Sequence, residues 1–295
     1  MSSLVDNLLK KGLINPPKFL ENTVQYEVMM GSFAYGVSND MSDVDAYGFA
    51  IPPKHYIFPH LKGVIPGFDK QVQSFDQFQQ HHVKDKDTKK EYDFSIYSIV
   101  KYFRLCADNN PNMIDSLFVP RRCIIHSTQV GEHVRENRKL FLHKGSWHKF
   151  KGYAYSQMHK IKIKNPEPGS KRYDMVQQYG YDLKFAYHVV RLMNEIEQIL
   201  MEKDLDLERN REQLKAIRRG EWTQDQIESY FESKEKNLEE LYVKSDLPHT
   251  CEEDSVKKVL LECLEIHFGN LDNCYKDNSK AVEALRQIAN IYSKF

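Results

Sequence analysis

Two aspartates one residue apart, Asp43 and Asp45 in SDVDAYG, stand just downstream of a Gly-Ser pair, Gly31-Ser32 in GSFAYG. In a strand, side chains two apart share a face, so the two acids would project together while Val44 turns into the core. Carboxylates held that close repel each other unless a proton or cation sits between them. Mg²⁺ or Mn²⁺ suits such a pair, and two such ions can activate an attacking hydroxyl and neutralise a leaving pyrophosphate. The Gly-Ser turn supplies the complementary half. Glycine lets the backbone approach a phosphate, and the free amides of the helical turn that follows favour an anion. On these residues alone, a calcium-type loop or ordinary turn chemistry is an equal reading.

A second set of charges lies well over a hundred residues away. On a helix, Lys184, His188 and Arg191 fall at i, i+4 and i+7 and stack on one face, with Tyr181 beside them. Three cationic or protonatable groups so placed disfavour one another unless they face an anion such as a triphosphate. A solvated face with Asp182 and Glu195 nearby is the alternative. From Asn137 to Pro166 there is no acidic residue, while Arg138, Lys139, Lys144, Lys149, Lys151, Lys160, Lys162 and Lys164 supply eight positive charges among Trp147, Phe150, Tyr153 and Tyr155. Such a segment can track a phosphate backbone and stack on unpaired bases. Equally, its aromatic residues can be core and its lysines solvated.

The elements that position these groups follow from period and punctuation. VQYEVMM, residues 24 to 30, reads as a strand ending at Gly31, after which Ser32 would cap a short helical turn over Phe33 to Val37. Val44 to Ile51 reads as a second strand, 54 to 70 as a loop, and 71 to 83 as a third extended segment. A strand around Asp93 passes into a helix with apolar positions Ile96, Ile99, Val100, Phe103 and Leu105, and Pro111 and Pro120 bracket the next helix. CIIHS reads as a strand and is followed by another helix. Beyond it the pattern is helical: Tyr179 to Met201, a helix opened by the capping box Thr223-Gln-Asp-Gln226, Ser255 to Phe268, and Lys280 to Phe295. A boundary near residue 145 divides the chain into two expected domains, 1–145 and 146–295.

Bulk properties exclude several classes. Lys+Arg and Asp+Glu both total 42 among 295 residues, so there is no whole-chain attraction to nucleic acid or membrane. Hydrophobic content of 41% with 28% charged residues is that of an ordinary globular protein. With no membrane-length apolar run and no signal-peptide pattern at the amino terminus, a cytoplasmic protein without membrane association is expected. Cysteines 106, 123, 251, 263 and 274 show no C-x-x-C spacing, which speaks against a disulfide framework and a zinc site.

GSFAYG and SDVDAYG resemble the signature of the DNA polymerase β nucleotidyltransferase superfamily, a Gly-Ser turn ahead of a D-x-D metal motif. Within it the chain most resembles the YcgL-type predicted nucleotidyltransferases, the RNA-repair-associated polymerase-β-like family. SIVKYFRLCADNNPNMIDSLF, YGYDLKFAYHVVRLMNE and LKAIRRGEWTQDQI look like further family blocks. The resemblance implies a third carboxylate on a neighbouring strand. Asp93 in EYDFSIYS is the better match, and Asp115, on a helix, is the rival that could face solvent. Where the superfamily often has Arg, this chain has Tyr35, so another residue must take over that phosphate contact. The implied architecture is α/β (α+β): an N-terminal nucleotidyltransferase domain with a small mixed sheet, followed by an all-helical domain. The implied activity is metal-dependent transfer of a nucleoside monophosphate, from ATP or another triphosphate, to an acceptor hydroxyl. Asp43, Asp45 and Asp93 would hold two Mg²⁺ (or Mn²⁺) ions. Gly31, Ser32, Tyr35, Gly36, Ser42, Lys184, His188 and Arg191 would hold the nucleotide. An RNA 3′ end, that of a tRNA included, is the expected acceptor. Nucleotidylation of a protein hydroxyl, and a silent nucleotide- or RNA-binding module, are the alternatives.

Overall fold

The computed structural model describes residues 2–38, 43–68, 74–163 and 166–271, with positions 284, 285, 287, 288 and 291 beyond. Ser42, Cys274 and most of the helix expected over 280–295 lie outside the described residues. The chain runs through α1 (Leu4–Lys10), β1 (Val24–Met29), β2 (Val44–Ala50), α2 (Lys54–Ile57), β3 (Gln77–Asp85), β4 (Lys90–Ser98), α3 (Ile99–Ala107), α4 (Pro111–Phe118), β5 (Ile124–Ser127) and α5 (Gln129–Glu136). Its strands form one five-stranded mixed sheet in the order β3-β4-β2-β1-β5. β2 and β4 run parallel, and the other neighbouring pairs are antiparallel.

Period two decides what each face of the sheet carries. Tyr92, Phe94 and Ile96 of β4 join Val44 and Ala46 of β2 in an apolar layer under α1, closed by Val5 and Leu8. Asp93, Ser95 and Tyr97 alternate onto the opposite face, where Tyr97 meets the main core. The stretch 54 to 70, expected as loop, holds α2 and a short 3₁₀ turn, Pro59–Lys62. In α3 the buried face is Ile99, Tyr102, Phe103 and Cys106, whereas Val100 is exposed and Ile96 belongs to the strand. Ser98 caps α3 and stops the strand period one turn later than the apolar pattern alone suggests.

Glu27, fully buried on β1, ties α1 to the sheet by accepting from the amides of Leu4 and Val5. Burial outweighs these two hydrogen bonds and pushes its carboxyl up to about 7. Folding therefore favours the protonated form: the contribution is complete below the ordinary value of 4.5 and is lost as pH rises through about 7. Relative to the parent, Glu27→Gln should gain stability between pH 5 and 8, by on the order of 3 kcal/mol at most. Denaturant midpoints of both proteins across that range are the measurement, and a constant difference would contradict the assignment.

The second half is helical: α6 (Ser146–Ile163), α7 (Lys171–Tyr179), α8 (Leu183–Glu202), α9 (Arg211–Arg218), α10 (Gln224–Lys244) and α11 (Glu253–Phe268). α8 is its axis, with α6 and α10 packed along it. The helix expected from Tyr179 is two helices. Gly180, at φ +82°, ends α7, and the Asp182 side chain caps α8 by accepting from Lys184 and Phe185 amides at 2.8 and 3.2 Å. The capping box at Thr223 and Gln226 is present. Of the aromatic residues in the basic segment, Trp147 and Phe150 are core, while Tyr153 and Tyr155 are exposed. One apolar cluster runs from Tyr26 of β1 to Leu264 of α11. Among the described residues, no helix is long and apolar enough to cross a membrane, and Cys106, Cys123, Cys251 and Cys263 are free thiols.

Candidate active site

A cleft of about 640 Å³ opens between the sheet and the second-half helices. From the sheet side it is lined by Gly31, Ser32, Tyr35, Asp43, Asp45, Tyr47 and Asp93, and from the helical side by Lys184, His188, Arg191 and Arg218. The residues singled out in the two distant halves of the sequence thus meet. Gly36 is not among the lining residues: at φ +65° it closes the turn, and an added Cβ there would lie 2.8 Å from Glu208 Oε1.

The turn after β1 is a run of tight turns rather than the expected capped helical turn. Tyr35 donates to Gly31 O at 3.3 Å, Gly36 to Phe33 O at 3.3 Å and Val37 to Ser32 O at 2.9 Å. That leaves the amides of Ser32, Phe33 and Ala34 without an acceptor among the described residues. The turn is pinned to β2, since Met30 N donates to Asp45 O at 2.7 Å. Gly31, at φ +61°, is packed so closely that an added Cβ would fall 2.3 Å from Asp45 Oδ2. Gly31→Ala therefore has two independent costs, a left-handed backbone and a displaced carboxylate. It should lose activity by about 10²-fold or more while shifting the melting midpoint only slightly; parental activity in this variant would show that Asp45 need not stay where it is.

Register sets the acids. β2 and β4 pair Asp45 directly with Asp93, and Asp43 precedes β2 by one residue. Burial raises the Asp45 carboxyl above its usual range; Lys184 opposes this, and the charges of Asp93 and Asp43 add to it. Asp93 is oriented by a β-bulge, where β3 slips register between Gln80 and Val83. There His82, at φ +57°, donates its amide to Asp93 Oδ1 at 2.7 Å, and His81 Nδ1 stands 3.7 Å from the same oxygen. Among the described residues no three His, Cys, Asp or Glu side chains are already gathered as a metal cluster. In kind the set fits a hard divalent cation: three carboxylates around one cleft, two of them adjacent in register, mutually repelling and short of counter-charge.

On α8 the three expected phosphate-facing groups differ. Lys184 is exposed at the cleft. Burial and then the charges of Arg191, Lys184, Arg172 and Arg218 hold the His188 imidazole well below its ordinary value, so it is neutral rather than a third cation. Arg191 is only 5% exposed and its charge is already answered. Its Nη1 contacts Asp115 Oδ2, Glu195 Oε1 at 3.0 Å and the Tyr35 hydroxyl at 2.7 Å, and its guanidinium lies 4.4 Å from the Tyr35 ring centroid. Asp115, the rival third acid, is fully buried beneath Tyr35 and does not face solvent. Tyr35 thus occupies the position expected for Arg and carries a guanidinium from α8 on its face. Arg218 and Asn112 were missed. Arg218, at the end of α9, stacks 5.7 Å from the Tyr187 ring and donates to Val37 O; its only signal was its place in LKAIRRGEWTQDQI. Asn112 lies in the first turn of α4, where its amide donates to the capping side chain of Asn110 and its own side chain lines the cleft.

A protein of Enterobacteria phage T4, described as an uncharacterized 38.9 kDa protein in the nrdC-mobD intergenic region, is 28% identical to the chain over 136 residues. The match covers 45% of this chain and 37% of the phage protein, so the chain spans well under two thirds of that relative. The model of the RNA repair pathway DNA polymerase beta family matches residues 18–260, a span that takes in the whole described cleft. The chain belongs to that family.

Proposed function

We propose that the protein transfers a nucleoside monophosphate from a nucleoside triphosphate to the 3′ hydroxyl of an RNA. The observation that carries this reading is the pairing of Asp45 with Asp93 across the cleft from Lys184, beside three amides of the Gly31 turn that have no acceptor among the described residues. Free amides and one exposed ammonium suit a triphosphate tail, and the three carboxylates line the same cleft. Asp43 and Asp45 would hold both divalent ions and Asp93 one of them; bound there, the ions would neutralise charge on the phosphates and lower the pKa of the acceptor hydroxyl. The acceptor oxygen bonds to the α-phosphorus, the bond to the β-phosphate oxygen breaks, and pyrophosphate leaves. Asp93, oriented by the His82 amide, receives the hydroxyl proton on its way to solvent. His188, which lines the same cleft, would offer the nucleotide a ring hydrogen bond.

Incubation with Mg²⁺, each α-labelled triphosphate in turn and total RNA should label RNA. Label confined to protein bands would replace this acceptor by a protein hydroxyl. No label in either, with Asp43→Ala binding nucleotide as the parent does, would remove the catalytic reading.

A further inference from the structure

Helix α6 carries its charges on two opposite sides. Lys151, Tyr155 and Lys162 face α10: Lys151 lies 2.6 Å from Glu235 and 3.2 Å from Glu239, Tyr155 donates to Glu235 at 2.7 Å, and Lys162 lies 3.4 Å from Glu228. These charges are spent within the fold. Lys149, Tyr153, Ser156 and Lys160 fall at i, i+4, i+7 and i+11, about half a turn around the helix from that set. Neither Lys149 nor Lys160 has a carboxylate partner among the described residues, and the surrounding sequence has no acid to offer.

This second side passes beside the cleft at the start of α4. Tyr153 is 39% exposed, and its hydroxyl accepts from Asn110 Nδ2 at 3.3 Å, which fixes the ring beside α4. Asn110, its partner, stands two residues before Asn112, which lines the cleft. At the other end, the Lys160 ammonium sits 5.7 Å over the Phe185 ring, next in α8 to Lys184. An exposed, anchored aromatic ring between two unneutralised lysines matches a flexible polyanion whose bases stack.

We infer that the Lys149, Tyr153, Ser156 and Lys160 stripe is the path along which single-stranded RNA approaches the cleft, its phosphates against the two lysines and an unpaired base on Tyr153. The inference rests on the proposed RNA acceptor and gives it a location. Binding of a fluorescein-labelled single-stranded RNA oligonucleotide, read by anisotropy, tests it apart from catalysis. Lys149→Glu with Lys160→Glu should weaken binding at least tenfold and flatten the salt dependence by about 1.4 in logarithmic slope, about 0.7 for each phosphate that no longer meets a lysine. Tyr153→Ala should weaken it severalfold. Lys236→Glu, exposed on α10, is the charge control and should stay within twofold, and fluorescent triphosphate binding should stay parental in all three. RNA binding by the double variant equal to that of the Lys236→Glu control overturns the inference. If RNA is never extended yet the stripe variants lose the oligonucleotide, the transfer reading falls and the stripe stands. If RNA is extended by the double variant at parental KM, the stripe falls and the reaction stands.

Discussion

Asp45→Asn is expected to lose at least about 10³-fold in nucleotidyl transfer, roughly 4 kcal/mol at the barrier, while melting no lower than the parent in the absence of divalent ions. The two halves of this expectation have one cause. Asp45 is a carboxylate held against desolvation and against the charges of Asp93 and Asp43, with Lys184 as the opposing cation. Its side chain accepts no hydrogen bond from the described residues, so the amide forfeits no contact there. Its folded-state pKa is raised, so ionisation of Asp45 works against folding; the variant's relative stability should be near parity in strong acid and grow as pH rises through and above the ordinary carboxylate range. Adding Mg²⁺ should then lift the parent's melting midpoint and leave that of Asp45→Asn where it was. Thermal melts at several pH values with and without Mg²⁺, beside a transfer assay, separate the effects. An equal Mg²⁺ response in both proteins would mean that the ions do not rest on Asp45.

Arg191→Met is expected to be the costliest single change to stability, about 3–5 kcal/mol, or a drop in melting midpoint on the order of 5–10 °C. Removing the guanidinium leaves two buried carboxylates, Asp115 and Glu195, facing each other without a cation. Burial raises both carboxyls, that of Glu195 well above its usual value, and the variant must take up protons or unfold. Adding Asp115→Asn and Glu195→Gln to Arg191→Met should recover most of the loss, a coupling that independent contacts would not produce. Lys184→Met makes the contrast: exposed and cleft-facing, it should cost activity and almost no stability. If Arg191→Met melts like Lys184→Met, the buried cluster does not hold α8 to the turn at Tyr35.

That contrast marks where the sequence stopped being readable. Spacing alone places Lys184, His188 and Arg191 on one face, but nothing in it says that the face runs from solvent to core within two turns. The partners that neutralise Arg191 include Asp115 on α4, which folding brings in from 76 residues away. The strands carrying the acids were legible because Val44 to Ala50 and Tyr92 to Tyr97 alternate. Their parallel pairing was not, since the connection from β2 to β4 detours through β3 and only the sheet order reveals it. Helix α7 was invisible because KRYDMVQQY has no apolar stripe, and Gly180 was absorbed into the longer pattern that follows. The basic segment carried both of its readings at once, and only the acids of α10 separate one side of α6 from the other.

The bulge at His81 and His82 has a consequence away from the cleft. β3 is an outer strand of the sheet, and an unbroken nine-residue edge would offer a row of free amides and carbonyls to another copy of the chain. Two residues opposing Asp93 where one would fit break that row at its middle and twist it out of line. Deleting His82 would restore an even ladder and a straighter outer edge: the feature that aims one carboxylate also interrupts the open edge of the sheet.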